Sequence, residues 1–338
     1  MASALIIGCT GKEFTREEAA FLRDADPWGL ILFKRNIETP EQVLKLTSAF
    51  REIVGREDAP VLVDQEGGRV QRLGPPFWRR YPAGRAYGEL SSIDPLGGRE
   101  IARLGARLMA HDLKTVGITV DCLPVLDVPS RGAHDVIGDR SYGLDPDRVT
   151  ILGRAAAEGL LAGGVLPVIK HIPGHGRAGA DSHESLPTVA VPLADLEIND
   201  FAPFRVLADM PLAMTAHVVF TDIDPDHPAT TSRRVIREVI RNSIAFDGLL
   251  MTDDLSMKAL AGTFAERASA SLRAGCDMLL HCNGDMAEMK AVASAAPRLA
   301  GSAGRRAKAA LARIRHAPEP LDVVEAHARF DAALAALA

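Results

Sequence analysis

Several features are scarce in this 338-residue chain. Aromatic side chains make up only 5%, too few for a broad stacking platform, so recognition is expected to rest on a few polar groups in a pocket. A basic surplus is missing. Lys and Arg number 39 against 44 Asp and Glu, a net charge of −5 with a pI near 6.1, which argues against generic nucleic-acid binding. No apolar run approaches the roughly 20 residues that span a bilayer. Cysteine is limited to Cys9, Cys122, Cys276 and Cys282, without CxxC spacing and mostly in apolar stretches. Such thiols usually behave as small buried hydrophobes, which disfavours a disulfide framework or zinc knuckle and suits a reducing compartment. Ile6-Ile7-Gly8-Cys9 superficially resembles a lipoprotein cleavage box, yet no Lys or Arg precedes it and Gly8 ends the apolar run. A signal needs a basic start and a longer apolar core, so a first buried strand and a cytoplasmic location are expected.

What the chain does have is a regular alternation. Hydrophobic residues reach 47% and charged residues 25%, the balance of a globular protein with a substantial core. Short apolar runs bounded by turn residues occur at Leu5–Cys9, Gly29–Phe33, Pro60–Asp64, Thr119–Leu123, Leu166–His171, Leu212–His217, Leu249–Asp253 and Met278–Cys282. Helical patterns separate them at Thr15–Asp24, Glu41–Val54, Gly98–Val116, Asp145–Ala162, Leu193–Ala208, Ser232–Asn242 and Phe264–Ala274. Near-continuous apolar strands alternating with helices imply a covered parallel sheet, and eight of them imply a (β/α)₈ barrel. Two stretches are too long for ordinary βα connections, Gly67–Asp94 and Pro173–Pro192; such loops tend to be functional. The Ala/Arg-rich tail from Gly301 predicts one or two closing helices. No internal repeat or linker interrupts the chain, so residues 1–338 are expected to form one domain.

A barrel places its chemistry at the C-terminal ends of its strands, and polar residues fall there repeatedly. Asp64, Lys170-His171, His217 and Asp253 each end an apolar run. A charge in such a position is costly unless paired or used; four such endings on one rim point to a site. The second insert, from Lys170-His171-Ile172-Pro173-Gly174-His175-Gly176 to Asp181-Ser182-His183-Glu184, mixes histidines and acids with glycines. A metal site from His171, His175 and His183 is one reading, opposed by the adjacent Lys170 and by the lack of a ligand spacing such as HExxH. A phosphate loop is another, although the glycines are out of order for one. The third is a mobile catalytic flap in which Asp181 orients His183, an imidazole suited to proton transfer near neutral pH.

Lys-His-Ile-Pro-Gly-His-Gly followed by Asp-Ser-His resembles the signature of glycoside hydrolase family 3, in particular the bacterial β-N-acetylhexosaminidases of peptidoglycan recycling. Asp64-Gln65-Glu66-Gly67-Gly68-Arg69-Val70-Gln71-Arg72, Ile137-Gly138-Asp139-Arg140-Ser141-Tyr142 and Thr252-Asp253-Asp254-Leu255-Ser256-Met257 agree, in the family's order. The resemblance implies a barrel fold and a retaining mechanism, in which a carboxylate forms a glycosyl-enzyme and a second group handles the proton. It makes Asp253 the nucleophile, His183 the acid/base and Asp181 its partner, with Asp64, Arg72, Arg140, Lys170 and His171 binding the sugar. The sequence alone does not separate Asp253 from Asp254; relatives with a single acid in this slot keep the first. His175 and His217 are expected to play supporting roles. The implied substrate is a muropeptide with N-acetylglucosamine β-1,4-linked to 1,6-anhydro-N-acetylmuramic acid. No metal or organic cofactor is implied, no nucleic-acid or membrane partner, and the chain is expected to be monomeric. Rival readings are a phosphorylase using the same residues, a metal-dependent hydrolase using the three histidines, and a muropeptide sensor without turnover.

Overall fold

The computed structural model describes residues 1–130, 132, 135–179, 181–182 and 185–337. Eight strands form a closed barrel: β1 (Ser3–Ile7), β2 (Pro27–Leu32), β3 (Val61–Val63), β4 (Val120–Asp121), β5 (Leu166–Ile172), β6 (Leu212–Thr215), β7 (Leu249–Asp254) and β8 (Met278–His281). Each pairs in parallel with its sequence neighbour, and β1 closes the ring on β8 through Leu5↔Leu279 and Ile7↔His281. All eight expected strands are present, with ends shifted by a few residues. Ser3–Ile7 is wholly buried, so the segment before Cys9 is the expected first strand.

Side chains alternate between the two faces of a strand, and the packing follows that period. Ile6, Ile31, Leu62, Val168, Met214 and Met251 pack together in the lumen. Their neighbours Leu5, Ile7, Leu30, Val63, Ile169 and Leu250 pack outward in the cluster that includes the helices. Both faces are therefore dry, which is why these strands read as continuous apolar runs rather than alternating ones. The four cysteines are buried and free.

The expected helices largely appear, and their ends have local causes. Thr15 caps Arg16–Ala25 in a capping box with Glu18, and Asp94 caps Pro95–Thr115, with proline in its first turn. The helix expected over Leu193–Ala208 is instead two short ones, Leu193–Ile198 and Ala202–Val206. Pro203 lies in the first turn of the second, where a missing N–H is tolerated but an unbroken helix is not. Val235–Ser243 winds as a π-helix rather than an α-helix.

The insert from Gly67 to Asp94 has more order than expected. It contains a small antiparallel pairing of Gln65–Gly67 with Val70–Gln71 and the helix Gly84–Ile93. The second insert contributes Thr188–Val189, which pairs with Val219–Phe220. Both tail helices exist, Gly301–Ala312 and Val323–Leu334. The first packs Ala307 and Ala310 against the lumen cluster beside Ala2 and Trp28, plugging the end opposite the polar rim. Among the described residues no helix is long and apolar enough to cross a membrane.

Candidate active site

The strand ends converge on a cavity of about 160 Å³ lined by Asp64, Glu66, Arg72, Arg140, Lys170, His171, Asp253 and Asp254, among others. Two irregularities help to load this rim. The β5–β6 register shifts between Lys170 and Ile172, and the β7–β8 register shifts between Met251 and Asp254. A local break in the ladder re-aims side chains that strict alternation would send to opposite faces. Lys170 with His171, and Asp253 with Asp254, thus line one cavity as adjacent pairs.

One wall is a network of alternating charge. Lys170 Nζ donates to Asp64 Oδ1 at 3.0 Å and lies 2.6 Å from Glu66 Oε1. Arg72 donates to Asp64 Oδ2 at 3.0 Å. Arg140 grips Glu66 with two parallel bonds of 2.8 Å, the strong fork geometry of a guanidinium on a carboxylate. Burial alone would raise the Glu66 carboxyl, but Arg140 and Lys170 hold it down at about 2. Asp64 is likewise held well below the usual range, burial being outweighed by Lys170 and Arg72. The Lys170 ammonium, despite its burial, is pushed up by Asp64 and Glu66. Asp64, Glu66, Lys170 and Arg140 are each held in the charged form by their partners, so the wall presents fixed donors and acceptors. Four of the residues expected to bind sugar meet here, and Glu66, which was not singled out, ties them together.

His171 is held differently. Its Nδ1 lies 2.7 Å from Asp127 Oδ2, while Asp127 Oδ1 accepts the backbone N–H groups of His171 at 3.2 Å and His175 at 2.7 Å. A carboxylate on Nδ1–H sets the tautomer, leaving Nε2 for the cavity that His171 lines. Burial would raise the Asp127 carboxyl, yet His171 and these bonds bring it down to about 2. Asp127 also escaped the sequence reading, although it ends an apolar run (Cys122–Leu126) just as Asp64 does.

The remaining histidines support the rim. His175 Nε2 lies 3.3 Å from Ser182 Oγ, and burial pushes its imidazole down to about 4. His217 bridges Thr230 Oγ1 at 2.7 Å and the Asp254 carbonyl at 3.1 Å. In the second insert, Asp181 accepts the Ser185 N–H at 3.0 Å through its carbonyl, and the Ser182 carbonyl accepts from Ala259 N, just beyond β7, at 3.2 Å. His183 lies outside the described residues, so its expected pairing with Asp181 does too.

The two adjacent aspartates have distinct surroundings. Asp254 Oδ1 accepts the backbone N–H groups of Ser256 and Cys282 at 3.0 and 3.1 Å, and Oδ2 accepts the Ser256 hydroxyl. This carboxylate cross-braces β7 to the end of β8. Asp253 accepts the N–H of Asp254 at 2.8 Å through Oδ1 and lines the same cavity as the charged wall.

Residues 4–316 match the Glycosyl hydrolase family 3 N terminal domain. The chain belongs to glycosyl hydrolase family 3. It is a glycoside hydrolase, in the β-hexosaminidase branch of that family. It is 40% identical over 302 residues to the Beta-hexosaminidase of Pseudomonas aeruginosa, covering 88% of each chain. The structure superposes on NagZ from Neisseria gonorrhoeae, solved in complex with N-trifluoroacetyl-D-glucosamine, with a TM-score of 0.85 at 32% identity, covering 99% of this chain and 97% of that one. A family 3 β-N-acetylglucosaminidase from Paenibacillus gives a TM-score of 0.81 at 31% identity; this chain covers 61% of that longer protein. The family 3 resemblance and the expected barrel are both borne out. Among the described residues of this family 3 barrel, no group of three or more His, Cys, Asp or Glu is placed to hold a metal ion.

Proposed function

We propose that the protein is a retaining exo-β-N-acetylglucosaminidase in which Asp253 is the nucleophile, His183 the acid/base and Asp181 its orienting partner. The observation that carries this reading is the division of labour at the end of β7. Both aspartates line the cavity, but the Asp254 carboxylate is bound to Ser256 and Cys282 by three hydrogen bonds. That gives it a structural task that fits the neighbour of the nucleophile rather than the nucleophile itself. The Asp253 carboxylate attacks the anomeric carbon as the bond to the leaving oxygen breaks, and the acid delivers its proton to that oxygen. Water, deprotonated by the same group, then attacks the anomeric carbon and releases Asp253. An imidazole in that role adds no like charge beside the nucleophile. Asp64, Arg72, Arg140, Lys170 and His171 bind the sugar, with donors and acceptors fixed before it arrives. The gonococcal relative's complex with N-trifluoroacetyl-D-glucosamine supports N-acetylglucosamine as the sugar.

The substrate we infer is a muropeptide, N-acetylglucosamine β-1,4-linked to 1,6-anhydro-N-acetylmuramic acid, consumed in cytoplasmic peptidoglycan recycling by the barrel and its two closing helices acting as one monomeric unit. Hydrolysis is favoured over phosphorolysis because Arg72, Arg140 and Lys170 each already face a carboxylate, leaving a phosphate little uncompensated charge to meet. The test is proton NMR of the first-formed sugar from a β-N-acetylglucosaminide, with and without phosphate. Free N-acetylglucosamine appearing first as the β-anomer is expected. The α-anomer would refute retention, and sugar 1-phosphate as main product would replace the hydrolase reading with the phosphorylase one.

A further inference from the structure

The insert from Gly67 to Asp94 supplies Arg72 to the sugar-binding wall, but most of its side chains lie outside the catalytic cavity. They build a second cavity of about 370 Å³. Arg72 lines both cavities, so the second is an annex of the first. The larger groove beside Asp224 and Arg273 shares no lining residue with the catalytic cavity.

The annex is cationic in a specific way. Arg69 in its wall is compensated by Asp139 at 3.1 Å, and its one acid, Glu38, is engaged by Lys12 at 2.8 Å. Lys34 and Arg80 also line it, both exposed, and neither forms an ion pair among the described residues. The Nε–H of Arg72 is buried without an acceptor, and its guanidinium lies over the Phe33 ring, 5.3 Å from the centroid. Phe77, 53% exposed, adds an apolar surface to the same cavity. Two uncompensated cations, an unused buried donor and an open aromatic face, joined to the site at one arginine, form a receptor for an anion with apolar parts.

We propose that this annex is an aglycone subsite that recognises carboxylates on a peptide attached to the leaving sugar. The inference rests on the glycosidase reading above and goes beyond it by assigning the substrate's anionic arm to Lys34 and Arg80. These residues lie outside the catalytic machinery, so their role is specificity. The interaction is partly solvent-exposed and screened by salt.

The test uses the full chain and the double variant Lys34→Gln/Arg80→Gln. Three substrates are compared: an aryl β-N-acetylglucosaminide, the N-acetylglucosaminyl-anhydromuramic disaccharide, and that disaccharide carrying a tripeptide. Wild type should prefer the peptide-bearing disaccharide over the bare one. The double variant should lose roughly fivefold of that preference, the scale of two exposed charge contacts, through KM rather than kcat, with aryl glycoside turnover unchanged. Raising salt should erode the wild-type preference in the same way. A preference that the double variant preserves, or a proportional loss on all three substrates, overturns the subsite. A wild type that turns over none of the three overturns the underlying glycosidase reading instead.

Discussion

Asp253 and Asp254 are neighbours in the chain, and the difference between them is open to a direct experiment. Alanine at 254 removes the acceptor of the Ser256 N–H and hydroxyl, which shape the turn after β7, and of the Cys282 N–H, which ties β7 to the end of β8. Hydrogen bonds to a charged group are worth about 1.5–3 kcal/mol each before relaxation, so Asp254→Ala should lower the melting temperature measurably. Asp253→Ala should abolish turnover, by more than about 1000-fold if it removes a covalent nucleophile, with the melting temperature near that of wild type. An Asp254→Ala protein that is dead yet fully stable, beside an active Asp253→Ala, would exchange the two roles. This distinction was invisible in the sequence, where both residues end the same apolar run; it depends on which carboxylate turns toward the nearby Ser256 and on Cys282 arriving from the next strand. Glu66 and Asp127 were missed for a related reason. Each is buried by contacts with residues more than 40 positions away, and nothing in the local pattern announces such a partner. The position of Asp127 at the end of an apolar run was the one available signal.

At the scale of elements, the strands were readable because their burial on both faces imposes a continuous apolar run. The inserts were readable only as being too long. Their internal order depends on partners in other loops, as when Thr188–Val189 pairs with Val219–Phe220. The root of the second insert shows what its glycines do. Gly174 has φ near +143°, which side-chain-bearing residues rarely adopt. At Gly176 an added Cβ would lie 2.1 Å from the Val128 carbonyl oxygen, and the Gly176 carbonyl accepts from Ser130 N at 3.1 Å. The insert is thus pressed against the segment that carries Asp127. Gly176→Ala should force the two apart, costing about 1–3 kcal/mol as overpacking commonly does, and disturb the His171 anchor. Thermal melting and aryl glycoside kinetics check this. A variant with wild-type stability and kcat/KM would show that the close approach carries no functional load.

For the molecule as a whole, the buried carboxylates predict an acid limit. Glu66 and Asp127 are held at about 2 against ordinary values of 4.5 and 3.8, and Asp64 is shifted in the same direction. A depressed carboxylate contributes stability that is complete above its unfolded value and is lost as pH falls through its folded one. Stability should therefore drop steeply from about pH 4 toward about pH 2. Above that range two sets of groups oppose each other: burial lowers the imidazoles of His175, His217 and His281 and raises the carboxyls of Asp112, Asp121 and Asp200. His175, lowered by burial to about 4, loses stability as pH falls from 6.5, whereas Asp200, raised by burial to about 6, gains it over much of the same interval. The limb between pH 4 and 6 should be shallow by comparison. Melting temperatures at pH 6, 4 and 3 test the shape; an even decline across the series would mean that the charged wall does not set the acid limit. The Asp254 brace has a practical consequence at this same scale. Because the Asp254 brace is separate from the proposed nucleophile, Asp253, chemistry and architecture should be uncoupled by a single substitution. A chain with Asp253 replaced by Asn should become a lectin: a reusable, non-consuming reagent for retrieving its own sugar from a mixture.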